Sequence, residues 1–204
     1  MLVVVGLGNS EKKYQNTRHN FGFLVLDQLL LQIFPQQNWK NNPRTGCLEA
    51  QRKNFLLAKP QAFMNSSGPV VKSLLNFYKI DSNNLLIVHD DLDLQFGQIK
   101  ISKNQGPAGH RGVESVVEAL GTKNFWRVRI GIGRSLFADN SDQVVKFVLA
   151  DFSQEEKKNL SEIIKKTAEL LIRLLEEEPE KIEGKYNILG RTKKSGNLPT
   201  SIRY

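Results

Sequence analysis

Short apolar runs and helical apolar stripes take turns along this chain, and that alternation predicts an α/β fold. Residues 2–7 form a β-branched apolar run interrupted by glycine, which reads as a buried strand. A polar loop covers residues 8–17. Phe21, Leu24, Val25, Leu29 and Ile33 then recur at the spacing of one helix face, predicting a helix over residues 20–34 that Pro35 ends. Residues 35–46 read as loop. Residues 47–52 and 55–58 flank Lys53-Asn54 as the two strands of a hairpin. Residues 60–68 form a loop, and 70–78 carry a helical pattern with Ser66 or Ser67 placed to cap it.

Residues 85–88 predict a second buried strand, followed directly by His89-Asp90-Asp91. A strand over 98–102, a glycine-rich polar loop over 103–112 and a helix over 113–120 come next. Residues 127–132 alternate basic and apolar side chains as a strand, and 142–149 form a short helix. Ser153-Gln154-Glu155-Glu156 is a capping box. It opens a long helix whose apolar face is Leu160, Ile163, Ile164, Thr167, Leu171, Leu174 and Leu175. The hairpin makes the sheet mixed rather than purely parallel. No linker interrupts the chain before its end, so the expectation is one α/β domain over residues 1–184 and a basic, mobile tail over 185–204.

Composition narrows the class. The 204 residues are 40% hydrophobic and 25% charged, which excludes a mostly disordered chain. The single cysteine, Cys47, rules out an internal disulfide and a zinc thiol cluster. Met1 runs straight into Leu2-Val3-Val4-Val5 with no basic leader, and residues 25–34 are broken by Asp27, Gln28 and Gln32, far short of the ~20 apolar residues of a membrane span. The expectation is a cytoplasmic protein without a membrane partner. The net charge is +8, which makes polyanions natural partners. Five of those eight net charges lie in residues 185–204, as Lys185, Arg191, Lys193, Lys194 and Arg203 with no acid among them. The tail is therefore expected to add salt-sensitive affinity for a polyanion.

Candidate chemistry is carried by histidines, carboxamides and bases. Gly6-Leu7-Gly8 after the first strand has the start of a dinucleotide fingerprint, but Glu11 stands where its third glycine belongs. There is no phosphate-binding G-x-x-x-x-G-K-S/T and no G-x-S-x-G nucleophile elbow. His19, His89 and His110 fit no local metal motif. His89-Asp90-Asp91 ends a strand, where ligands of open α/β sheets gather. His19 opens a helix, whose N-terminus keeps an imidazole neutral and usable as a base. Residue physics leaves His19 and His89 level. Asn9 and Asn65 can donate to a developing oxyanion. Lys100, Lys103, His110, Arg111, Arg127 and Arg129 can bind phosphates. With no persuasive nucleophile, a hydrolase here would use a water activated by histidine.

Taken in order, five blocks resemble the bacterial peptidyl-tRNA hydrolase family. They are Gly6-Leu7-Gly8-Asn9 with Tyr14 and Thr17-Arg18-His19-Asn20; Lys59-Pro60 with Phe63-Met64-Asn65; Val88 to Leu94 with Gly97 and Lys100; Gly109-His110 with Gly112 and Arg127 to Gly133; and Phe147-Val148-Leu149 with Phe152. The likeness runs from about residue 2 to 178. It implies a single domain with a twisted mixed β-sheet flanked by helices. It implies cleavage of the ester between a peptide and the 3′ ribose of tRNA, which frees tRNA for translation. It places the catalytic histidine on His19 and its orienting aspartate on Asp90. Substrate-binding positions fall on Asn9, Tyr14 and Asn65. Lys100, Lys103, Arg111 and Arg129 are then expected against tRNA, and any peptide is expected to be accepted. No metal or cofactor is implied, and a monomer is expected.

Two departures stand out. Ser10-Glu11 replaces the family's usual Pro-Gly, and Arg111 stands where an asparagine usually follows Gly-Gly-His. An arginine donates hydrogen bonds but cannot accept them, so substrate contacts there are expected to change. Two rival readings are a non-catalytic RNA-binding relative and a nucleotide-binding oxidoreductase.

Overall fold

A computed structural model describes every residue except 53, 135–139, 178 and 190–204. Eight strands form one mixed sheet: β1 (Leu2–Gly6), β2 (Lys40–Asn42), β3 (Cys47–Arg52), β4 (Phe55–Pro60), β5 (Leu85–Asp91), β6 (Gln98–Lys103), β7 (Trp126–Gly131) and β8 (Gly184–Asn187). Their spatial order is β2-β3-β4-β1-β5-β7-β6-β8. The four central strands, β4-β1-β5-β7, run parallel, and the strands outside them on both sides are antiparallel. The chain first builds leftward from β1 to β4, then crosses back to place β5 on β1's other side. The crevice at the carboxyl ends of β1 and β5 is thus a topological switch point, where such sheets bind ligands.

Helices α1 (Phe21–Ile33) and α5 (Gln154–Glu176) bury Val4, Leu57, Leu86, Val88 and Val128 on one sheet face. Helices α2 (Ser67–Tyr78) and α3 (Arg111–Leu120) bury Val3, Val5, Leu56, Leu85 and Ile87 on the other. Helix α4 (Ser141–Val148) and the short α6 (Pro179–Ile182) complete the set. The capping box of α5 forms as expected, with Ser153 Oγ accepting from the Glu156 N–H and Glu156 accepting from the Ser153 N–H. Gly6 and Gly22 bring α1 onto the sheet: a Cβ on Gly22 would collide with the Val88 carbonyl, and one on Gly6 would lie 2.6 Å from the Gly22 carbonyl. That contact seats the residues preceding α1 beside β5.

The structure revises several boundaries. Lys40–Asn42, read as loop, is a polar edge strand. The second strand extends past Val88 to Asp91 and is buried throughout. Helix α3 begins at Arg111, two residues before the expected start. Ser66 stands at the N-cap of α2, but its side chain makes no capping bond. Gly184–Asn187 pairs with β6, so Lys185 belongs to the sheet rather than to a tail. The remaining tail residues, 190–204, and Lys53 of the expected hairpin turn lie outside the described residues. Among the described residues, no helix is long and apolar enough to cross a membrane.

Candidate active site

The crevice between β1 and β5 collects its chemistry from segments far apart in sequence. Asp90 enters from the end of β5 and is 2% exposed. His19 sits in the 3-10 turn Arg18–Asn20 that leads into α1, and its Nδ1 lies 3.0 Å from both Asp90 carboxylate oxygens. His110 approaches from the opposite face, with Nε2 3.0 Å from Asp90 Oδ1.

Hydrogen-bond logic assigns the protons. His110 caps α3, and its Nδ1 accepts from the Gly112 and Val113 N–H groups at 3.2 Å each. Those donors require a bare Nδ1, so Nε2 carries the proton and donates it to Asp90. Asp90 thus accepts from two imidazoles. Burial opposes its ionisation, but the two histidines and their N–H groups outweigh that and hold the carboxyl well below the usual carboxylate range. With Nδ1 of His19 donating to Asp90, its Nε2 is the basic nitrogen left to the cavity that His19 lines.

Asn9 follows β1 and is fixed at three points. Its N–H donates to Asn20 Oδ1, its carbonyl accepts from Asn20 Nδ2, and its own Oδ1 accepts from the Met64 N–H at 2.8 Å. The side-chain oxygen is therefore occupied, and Nδ2 remains to donate to the cavity. A cavity of about 360 Å³ joins Asn9, Tyr14, His19, Asn65, Asp90, His110 and Arg111, with Phe63, Met64 and Val144, Val145 and Val148 of α4 as apolar wall. Asn65 and Arg111 are exposed at this cavity.

Six predicted site residues therefore converge: His19, Asp90, Asn9, Tyr14, Asn65 and Arg111. Lys100, Lys103 and Arg129 do not line the cavity. Lys100 lies in register with Arg129 and Lys185, forming a basic row across β8, β6 and β7. Arg129 is buried, with Nε 2.5 Å from Asp91 Oδ2 and Nη1 3.3 Å from Gln105. Lys103 packs over the Trp126 ring. His89, level with His19 on sequence grounds, is buried outside the cavity, with Nδ1 donating 2.6 Å to the Asp90 carbonyl. His110 was read as one of several loop cations; the available signal was its place between Gly109 and a helix start. The glycines of the partial dinucleotide fingerprint serve packing: a Cβ on Gly8 would strike the Phe23 ring at 2.7 Å.

The model of a family described as peptidyl-tRNA hydrolase matches residues 3–196. A peptidyl-tRNA hydrolase of Aquifex aeolicus is 42% identical over 184 residues, covering 87% of this chain and 92% of that protein. One from Aliarcobacter butzleri is 41% identical, covering 92% of this chain and 100% of that protein. The crystal structure of peptidyl-tRNA hydrolase from Acinetobacter baumannii superposes with a TM-score of 0.77 at 30% identity, covering 86% of this chain and 89% of that one.

Proposed function

The chain belongs to the peptidyl-tRNA hydrolase family and hydrolyses peptidyl-tRNA, and on that premise we propose which of its residues do so and how. His19 Nε2 takes a proton from water, and the resulting hydroxide attacks the carbonyl carbon of the ester between peptide and ribose. Asp90 accepts the Nδ1 proton bond, holds the tautomer and stabilises the imidazolium. The Asn9 and Asn65 amides donate to the developing oxyanion or to the peptide backbone. The tetrahedral intermediate then expels the ribose 3′ oxygen, which takes the proton back from His19. The products are a peptide with a free carboxyl group and tRNA with a free 3′ hydroxyl.

His110 supplies the second donor to Asp90 and so fixes the carboxylate beside His19, whose ring it also contacts. Tyr14 and the apolar wall border the bound substrate. Arg111, at the mouth, donates to a phosphate or carbonyl oxygen where an asparagine would both donate and accept. Lys100 and Lys103 form the basic side toward which the tRNA backbone lies, whereas Arg129, expected there too, is buried and paired with Asp91. The protein acts as a cytoplasmic monomer.

One observation carries this reading: His19, held by Asp90, shares one cavity with Asn9 and Asn65. The non-catalytic reading explains none of that convergence, and the named relatives are hydrolases. The test is release of tRNA from an N-blocked aminoacyl-tRNA by wild type beside His19→Ala. The variant is expected to lose about 100- to 10,000-fold in turnover while still binding tRNA. Retained turnover in folded His19→Ala would remove the proposed base.

A further inference from the structure

The mechanism above uses one face of β5; the other face carries a buried polar group of residues that it leaves unexplained. Ser102 lies opposite Arg127 across β6 and β7, and Ile87 lies opposite Arg127 across β5 and β7. His89 is two residues along β5 from Ile87, so it shares that face. It lies opposite Arg129 and is a diagonal neighbour of Arg127 across the same two strands. Gln105, on the loop between β6 and α3, reaches down to Arg129 from above. Arg127 is 1% exposed, and Ser102 and His89 are equally enclosed. Among the described residues, Arg127 Nη1 and Nη2, Ser102 Oγ and His89 Nε2 are all buried without a hydrogen-bond partner.

Their chemistry is complementary. His89 Nδ1 faces the Asp90 carbonyl oxygen and must carry the proton. Burial, followed by the neighbouring His110 and Arg127, pushes the His89 pKa well below its ordinary value, so the ring is neutral. Its Nε2 is therefore a bare acceptor. Arg127 offers bare donors, and the neighbouring cation Arg129 is already committed to Asp91 and Gln105. Leaving such groups unmatched in a protein interior is costly. A halide could accept from Arg127 but has nothing to donate to Nε2, whereas water does both.

We propose that enclosed water bridges the Arg127 guanidinium, Ser102 and His89 Nε2, and that Arg127 is thereby a positioning residue for Asp90. The linkage runs from Arg127 through water to His89, whose Nδ1–H holds the Asp90 carbonyl. The His89 ring also packs edge-on against His110, 4.6 Å between centroids. The backbone of the catalytic carboxylate and its partner His110 are thus braced from behind. This inference rests on Asp90 as the group that orients His19.

Two arms test it. In kinetics with N-blocked aminoacyl-tRNA, Arg127→Met should lower kcat about 10-fold at unchanged KM, because small misplacements of catalytic groups cost that much or more. Arg127→Lys, which can still donate to the water, should recover most of the loss. Unchanged kcat in folded Arg127→Met, or a raised KM with kcat held, would overturn the positioning role. The other arm needs no variant. A high-resolution crystal structure of the wild-type protein, soaked in bromide, should show water within hydrogen-bonding distance of both Arg127 and His89 Nε2. A dry gap, or an anomalous bromide peak on Arg127, would overturn the bridge. Failure of the Asp90 assignment itself would appear separately, as full turnover in Asp90→Asn with the water still in place.

Discussion

Asp90 and Glu49 are both buried carboxylates held by side-chain donors, and only Asp90 belongs to a reaction centre. Asp90, at the end of β5, accepts from His19 and His110. Glu49, on β3 toward the sheet's far edge, accepts from Thr45 Oγ1, from Tyr78 OH at 2.7 Å and from Asn42 Nδ2 at 3.1 Å. Burial is alike, and Glu49 has one donor more than Asp90. The donors differ in kind. An imidazole that gives one N–H to Asp90 keeps a second nitrogen that can exchange protons with a cavity. A threonine, an amide or a phenol anchored on Glu49 has no such second site near neutral pH.

The groups around Glu49 confirm its inertness. Burial, the Glu49 charge following, pushes the Cys47 thiol up to about 12. Burial and the hydrogen bond to Glu49 push Tyr78 to about 12 as well. Neither group can serve as a nucleophile or base at ordinary pH. The lesson is that a buried, well-bonded carboxylate marks structure as readily as chemistry. What separates the two is whether a titratable partner opens onto a pocket.

The contrast can be sharpened by removing donors and acceptors one at a time. Apart from His19 and Asp90 themselves, the largest of these effects is expected at His110→Ala, which takes away the second imidazole but leaves His19 paired. Turnover should fall about 10- to 100-fold with KM for the substrate little changed, given the usual sensitivity to misplaced catalytic groups. Initial-rate measurements would check it, and an unaltered kcat would reduce His110 to a helix cap. Glu49→Gln should act on stability alone, because an amide N–H then faces donors. A loss of about 1–3 kcal/mol in urea unfolding is expected, with turnover at wild-type level. Lost turnover in the folded variant would erase the distinction between the two carboxylates.

The smallest effect concerns pH. Tyr78 has its folded pKa raised, so folding favours the neutral phenol. Its contribution to stability is complete below the unfolded value near 10 and is lost as pH rises toward about 12. Ultraviolet titration should show Tyr78 ionising late in wild type, and earlier in Glu49→Gln. A late tyrosine unmoved by that substitution would assign the shift to burial alone.

How much of this was readable in the sequence depended on range. The α1 stripe, the β3–β4 strands and the Ser153–Glu156 capping box are local patterns, and all appear as expected. The Lys40–Asn42 strand was invisible because it is short, polar and at an edge. The alternation of Arg127 and Arg129 suggests one wet face. Both are buried, and Arg129 is held by Asp91 and by Gln105 of the loop after β6. His89 to Asp91 broke the apolar run of β5 and so read as its end, yet the strand continues through them with specific partners. At the site, residue physics could not choose between His19 and His89. The choice is decided by geometry: one ring opens to a cavity and the other is sealed behind Asp90. His110 became legible only when α3 brought it to a carboxylate 20 residues away.

The central claim is that Asp90, and not a buried carboxylate in general, sustains catalysis through His19. The direct measurement is kcat for tRNA release from an N-blocked aminoacyl-tRNA by Asp90→Asn and Glu49→Gln, side by side, with folding of both verified. Asp90→Asn should lose about 100- to 10,000-fold, since the amide can present a donor to Nδ1 and favour the wrong tautomer, while Glu49→Gln keeps wild-type turnover. Wild-type turnover in Asp90→Asn would contradict the account.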